Sequence, residues 1–129
     1  MSDNGVVADS SAILALLKRE PFGAFAPERL FRAAISTVNL SEVLERLYAG
    51  GLAEPGASDA VAELSLQVVD FNAQQARSTA LLRSRTRHAG LSLGDRACLA
   101  LGSRLGCPVV TADRAWANVD VGVEIVLIR

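Results

Sequence analysis

Hydrophobic positions along this chain fall into two patterns: short unbroken apolar runs, and stripes spaced three and four residues apart. The first run, residues 5–8, ends at Asp9, and Ile13, Leu14, Leu16 and Leu17 then form a helical stripe within residues 10–19. That order predicts a strand feeding a helix. Pro21 closes the helix, and Pro27 opens a second short one through residue 33 with Leu30 and Phe31 facing inward. Residues 34–38 read as a second strand. Asn39 is placed to cap the next helix, where Leu40, Val43, Leu44, Leu47 and Tyr48 recur at amphipathic spacing until Gly50 and Gly51 stop it.

Residues 58–64 read as a short helix and residues 66–69 as a third strand, unless that run extends the helix. Residues 72–89 predict one long helix ended by Gly90, and residues 92–105 another ended by Gly106. A fourth strand, residues 108–111, is closed by Asp113; a turn around Trp116 leads to a fifth, residues 124–128. Strands separated by helices imply an α/β fold: a parallel five-stranded sheet with helices on both faces, joined by right-handed crossovers. Such sheets place their ligand site at the carboxyl ends of the strands, where the strand order reverses.

The 129 residues suit a single domain spanning 1–129, able to bury about two thirds of its unfolded surface. Half the residues are hydrophobic, yet no apolar run reaches the roughly 18 residues a membrane span needs, so no membrane partner is expected. Residues 1–5 hold an acidic residue and no basic one, which lacks the pattern of a secretion signal and leaves a cytoplasmic location as the expectation. Cys98 and Cys107 read as reduced packing residues, and His88 as a solvated charge near a helix end. With a net charge of −1, attraction for nucleic acid has to be local.

Four acids change the picture. Asp9 ends the first strand, Asp113 closes the fourth, and Glu42 and Asp95 arrive from helix starts, with no basic residue spaced to neutralise them. Carboxylates gathered at one rim resist ionising together unless a divalent cation supplies positive charge, and oxygen ligands suit Mg2+ or Mn2+. At least one of them is expected to carry a raised pKa before metal binds. Each also has a plainer use: Asn39 with Glu42 and Ser92 with Asp95 have capping-box spacing, and Asp9 and Asp113 can each cap the helix or turn on their C-terminal side. A metal cluster accounts for all four at once.

The segments VVADSSAILALL, AISTVNLSEVLERL, LSLGDRACLALGSRLG and VVTADRAW resemble, in order and spacing, the four acidic motifs of PIN-domain ribonucleases, in particular the VapC toxins of toxin–antitoxin pairs. The resemblance spans nearly the whole chain and implies a three-layer α/β/α sandwich. It implies an endoribonuclease with Asp9, Glu42, Asp95 and Asp113 as the acidic quartet. Asp9, Asp95 and Asp113 would be the direct Mg2+ or Mn2+ ligands; Ser10, Asn39 and Thr111 would support them. Asn39 departs from the family, where threonine is common. A homodimer and a small antitoxin bound across the first two motifs are further implications.

RNA contacts are expected from Arg83 and Arg87, four apart on one helix face, with Arg77, Arg85 and His88 nearby; a solvated helix end is the alternative. Trp116 is the best candidate for stacking on a base, though core packing suits its apolar surroundings better. Phe22, Phe25, Leu30 and Phe31 together read as a protein interface. Two other functions compete: a receiver-like domain, which needs a late lysine this chain lacks after Lys18, and a catalytically inactive interaction domain whose acids are only caps. A dinucleotide site is disfavoured, because no glycine-rich turn comes after the first strand.

Overall fold

The computed structural model describes residues 5–129, so Met1 to Asn4, part of the stretch read as lacking a secretion signal, lie outside the described residues. Strand β1 (Val7–Ala8) leads into helix α1 (Ser10–Leu17), and a 3-10 turn (Pro27–Leu30) precedes β2 (Ala34–Ser36). Then come α2 (Thr37–Ala49), α3 (Gly56–Ala62) and β3 (Gln67–Val69). Helices α4 (Ala73–Leu81) and α5 (Arg83–Thr86) and a 3-10 turn (Arg87–Ala89) are next, before α6 (Leu93–Leu105) and β4 (Val109–Thr111). A 3-10 turn (Arg114–Asn118) and β5 (Ile125–Leu127) complete the chain.

All five strands run parallel in the order β3-β2-β1-β4-β5. Chain order therefore reverses between β1 and β4, which makes their carboxyl ends the switch point of a doubly wound sheet. Side chains alternate across the strands into two cores. Val6, Ala8, Ile35 and Val110 face α1, α2 and α3, whereas Val7, Ala34 and Val109 face α6 and Trp116. The central strands β1, β2 and β4 are buried on both sides because helices cover both, the pattern expected of a parallel sheet, whereas the edge strand β3 is half open, with Val68 48% exposed. Among the described residues no helix is long and apolar enough to cross a membrane.

Three expectations from sequence are corrected. The second strand stops at Ser36, whose hydroxyl accepts from the Val38 N–H at 3.2 Å and caps α2, so Asn39 lies inside the helix and caps nothing. The helix expected over residues 72–89 is broken after Leu81. Thr86 turns its hydroxyl back to the Leu82 carbonyl at 2.8 Å, and Gly90 leaves the segment at φ 64°. Phe31, expected to face inward, is 48% exposed, because Arg32 at φ 66° turns the chain into β2 and leaves Leu30 as the buried residue. Of the apolar set read as an interface, Phe25 and Leu30 are core.

Gly102 sits where α6 presses on the sheet. A Cβ there would run into the Val109 side chain, with Val123 Cγ1 at 3.2 Å and the Cys107 carbonyl oxygen at 3.3 Å. Neither the strand nor the backbone carbonyl can yield easily. Gly102→Ala is therefore expected to destabilise the protein by about 1–3 kcal/mol despite alanine's better helix propensity, as read from urea or thermal unfolding.

Candidate active site

Asp9 is fixed by the pairing of β1 with β4. Val7 lies opposite Val109, Ala8 opposite Val110, and the Asp9 N–H donates to the Val110 carbonyl at 3.1 Å. One step further brings Asp9 beside Thr111, whose hydroxyl donates to Oδ2 at 2.5 Å. The Ser11 hydroxyl lies 2.8 and 2.9 Å from the two carboxylate oxygens, and the Ala12 N–H donates to Oδ1 at 2.8 Å as a helix cap. Ser11 in turn accepts from the Ala112 N–H at 2.9 Å, and Thr111 from the Asp113 N–H at 3.0 Å.

Asp9 is only 3% exposed. Burial raises its pKa from the ordinary 3.8 to about 6, against the opposing hydrogen bonds from Thr111, Ala12 and Ser11 and with added repulsion from Asp95. The raised pKa expected of the acidic set is therefore found on this residue.

Glu42 and Asp95 are half-buried and meet through α2 and α6. Asn39 Nδ2 donates to Glu42 Oε1 at 2.9 Å and to the Gly94 carbonyl at 3.1 Å, which ties Glu42 to the first turn of α6 that carries Asp95. One turn on, the buried Cys98 thiol is pushed well above 9.0, first by burial and then by the charges of Asp9, Asp95 and Glu42. Three of the acids thus lie within electrostatic reach of one sulfur. Asp113 is exposed, and joins this group through its backbone N–H on Thr111.

The plainer uses are also realised. Asp95 completes a capping box with Ser92, its Oδ2 accepting from the Ser92 N–H at 3.0 Å, and Asp113 Oδ1 accepts from the Ala115 N–H at 2.9 Å. Among the described residues no three His, Cys, Asp or Glu side chains converge closely enough to hold an ion as they stand. None of the acids is taken by a cation, however. The ion pair found among the described residues joins Arg129 to Glu20, and Arg96 turns from Asp95 to donate to the Thr79 carbonyl at 3.1 Å. A buried carboxylate and three further acids with oxygens to spare, none paired to an arginine among the described residues, carry the hard oxygens that Mg2+ or Mn2+ takes.

The PIN domain family profile matches residues 6–122. The chain is a PIN domain protein. Its fold is shared with a toxin–antitoxin complex from Klebsiella pneumoniae (17% identity, TM-score 0.63, covering 94% of this chain and 99% of that one). It is also similar to VapBC2 from Rickettsia felis bound to a promoter DNA fragment (18%, TM-score 0.69, 94% and 96%). A third similar structure is VapC20 from Mycobacterium tuberculosis, described as a toxin that cleaves the sarcin-ricin loop (18%, TM-score 0.67, 92% and 98%). No curated protein sequence matches this chain.

In this PIN domain Ser11, not Ser10, is the hydroxyl on Asp9. A capping carboxylate faces the second and third residues of its helix, and Ser10 is the first. Ser10 instead lines a cavity of about 330 Å³ with Ser11, Leu14, Glu42, Glu45 and Arg46. Sequence reasoning missed Ser11, Gly94 and Arg46; the cap geometry after Asp9 was the available signal for the first. Arg83 and Arg87 are exposed, but the helix expected to align them ends between the two. Arg85 and His88 are engaged with the Asp120 and Asn118 carbonyls at 3.1 and 3.0 Å. Trp116 is fully buried in the core and presents no stacking face.

Linkage gives a pH test. Between pH 3.8 and about 6 the folded protein holds a proton on Asp9 that the unfolded chain has released, so stability falls as pH rises through this window. The gap corresponds to about 3 kcal/mol. Metal-free Asp9→Asn is expected to lack this decline and to gain stability relative to the parent between pH 4 and 7, by at most that amount. Parallel melting curves for the two proteins across the window would contradict it.

Proposed function

We propose that this PIN domain protein is a Mg2+- or Mn2+-dependent endoribonuclease, acting as the toxin of a type II toxin–antitoxin pair. The observation that carries the reading is the buried, hydroxyl-clamped Asp9 at the switch point, with Asp95 close enough to repel it, Glu42 acting with both on Cys98, and no cationic side chain among the described residues paired to any of them. A carboxylate kept there against its own burial is poorly explained by capping alone. Family membership supports nuclease chemistry, and the described activity of the Mycobacterium tuberculosis toxin supports RNA as substrate.

Asp9, Asp95 and Asp113 would hold the cation, which when bound supplies a Lewis acid to the phosphate oxygens and acidifies a water. Thr111 and Ser11 orient Asp9 and favour its ionised form by donating to it, against the effect of burial. Glu42 accepts a hydrogen bond from the attacking water and aligns it with phosphorus. Arg46, on the cavity wall one turn beyond Glu42, neutralises a backbone phosphate of the strand, and the exposed Arg83 and Arg87 extend the contact. A small antitoxin would lie along the apolar groove that Leu40, Leu44, Val61, Leu66 and Val68 form beside α2, in a complex built on a toxin homodimer. The similar toxin–antitoxin complexes support that partner.

The competing reading is a catalytically inactive interaction domain, and the caps made by Asp95 and Asp113 favour it. Cleavage of total RNA separates the two. With Mg2+ or Mn2+ the parent is expected to cleave and a chelator to stop it, while Asp9→Asn and Asp95→Asn lose at least about 100-fold. No cleavage by the parent would leave the inactive domain standing, and cleavage that is equal in parent and variants would sink the acidic metal site. Arg46→Ala is expected to weaken RNA binding about 3- to 10-fold without lowering the melting temperature, as measured by titration at fixed salt.

A further inference from the structure

Gly94 is the second residue of α6, and the space where its side chain would be is taken by the carboxylate of Glu42. A Cβ built there stands 2.7 Å from Oε1 and 2.8 Å from Cδ of Glu42, and closer still to Oε2. Ordinary contact begins near 3.4 Å, so any larger residue pushes the carboxylate aside by about an ångström. The usual reasons for glycine are missing. Its backbone is not left-handed, and glycine is a poorer helix former than alanine.

Asn39 restrains the same carboxylate. Its Nδ2 donates to two acceptors, Glu42 Oε1 and the Gly94 carbonyl, which fixes the amide's orientation. Asn39 is 1% exposed, and its Oδ1 has no hydrogen-bond partner among the described residues. An amide buried with one unmet acceptor is a poor device for stability. Its use lies in what Nδ2 holds.

We infer that Gly94 and Asn39 are positioning residues that set where the Glu42 carboxylate stands beside the Asp95 turn. The inference rests on the endoribonuclease reading above. Glycine leaves the space, and the amide keeps Glu42 in it. The atom met by a new Cβ is the far end of a flexible side chain, so enlarging residue 94 displaces Glu42 without disturbing the fold.

The test is RNA cleavage in Mg2+ or Mn2+ together with thermal unfolding, on the full chain. Gly94→Ala is expected to melt at or above the parent's temperature yet cleave on the order of 10- to 100-fold more slowly, the scale on which an ångström of misplacement acts. Glu42→Asp, one methylene shorter, should slow the parent but restore cleavage when combined with Gly94→Ala, a coupling that general damage to the fold does not produce. Asn39→Ala should also slow cleavage. Gly94→Ala cleaving like the parent, or no restoration by Glu42→Asp, overturns the inference. If Gly94→Ala does not fold, Asn39→Ala decides: parental cleavage by that variant overturns it. A parent that cleaves no RNA defeats the endoribonuclease reading and this inference with it, whereas a parent that cleaves with an unaffected Gly94→Ala defeats this inference alone.

Discussion

A carboxylate held out of water at the junction of two parallel strands is the constraint around which this protein is arranged. Asp9 comes directly after β1, and the register of β1 on β4 brings Thr111 against it, so the sheet pairing itself makes the short bond between them. Ser11 and the Ala12 N–H complete the clamp from α1. Burial opposes the negative charge and the hydrogen bonds favour it; burial prevails, leaving the pKa near 6. A group in that balance is easily ionised by a nearby cation, and costs stability when none is present.

The strand and helix alternation was legible because the sheet is parallel and covered on both faces, which makes its strands short continuous apolar runs. The pairing of β1 with β4 was not legible from pattern alone, although the acids at their ends were suited to it. Boundaries failed where side chains compete with backbone geometry. Ser36 captured the cap of α2 from Asn39, and Thr86 broke a helix whose composition is otherwise favourable. Residue types at the site could be read, but not which of two adjacent serines faces Asp9, since that depends on the helix phase set by the cap. Gly94 carried no signal, because its importance lies in contact with a residue 52 positions earlier in the chain.

Capping and metal binding look like alternatives for these acids, and the structure makes that choice less stark. Asp9 and Asp113 each give Oδ1, and Asp95 its Oδ2, to a backbone N–H at the start of a helix or turn. Helix N-termini are positive ends, so the starts of α1 and α6 ease the charge on Asp9 and Asp95, which are close enough to repel each other. Capping orients these side chains and leaves oxygens for another partner. The same local hydrogen bonds can therefore serve folding and chemistry together.

The most direct measurement is the shift in melting temperature on adding Mn2+ to the metal-free protein and to Asp9→Asn. A cation bound only by the folded state raises stability in proportion to the logarithm of its saturation. If Asp9 helps to hold the cation, the parent's melting temperature rises with Mn2+ concentration and most of that rise is lost in the variant. A parent indifferent to Mn2+, or an equal rise in both proteins, would contradict it.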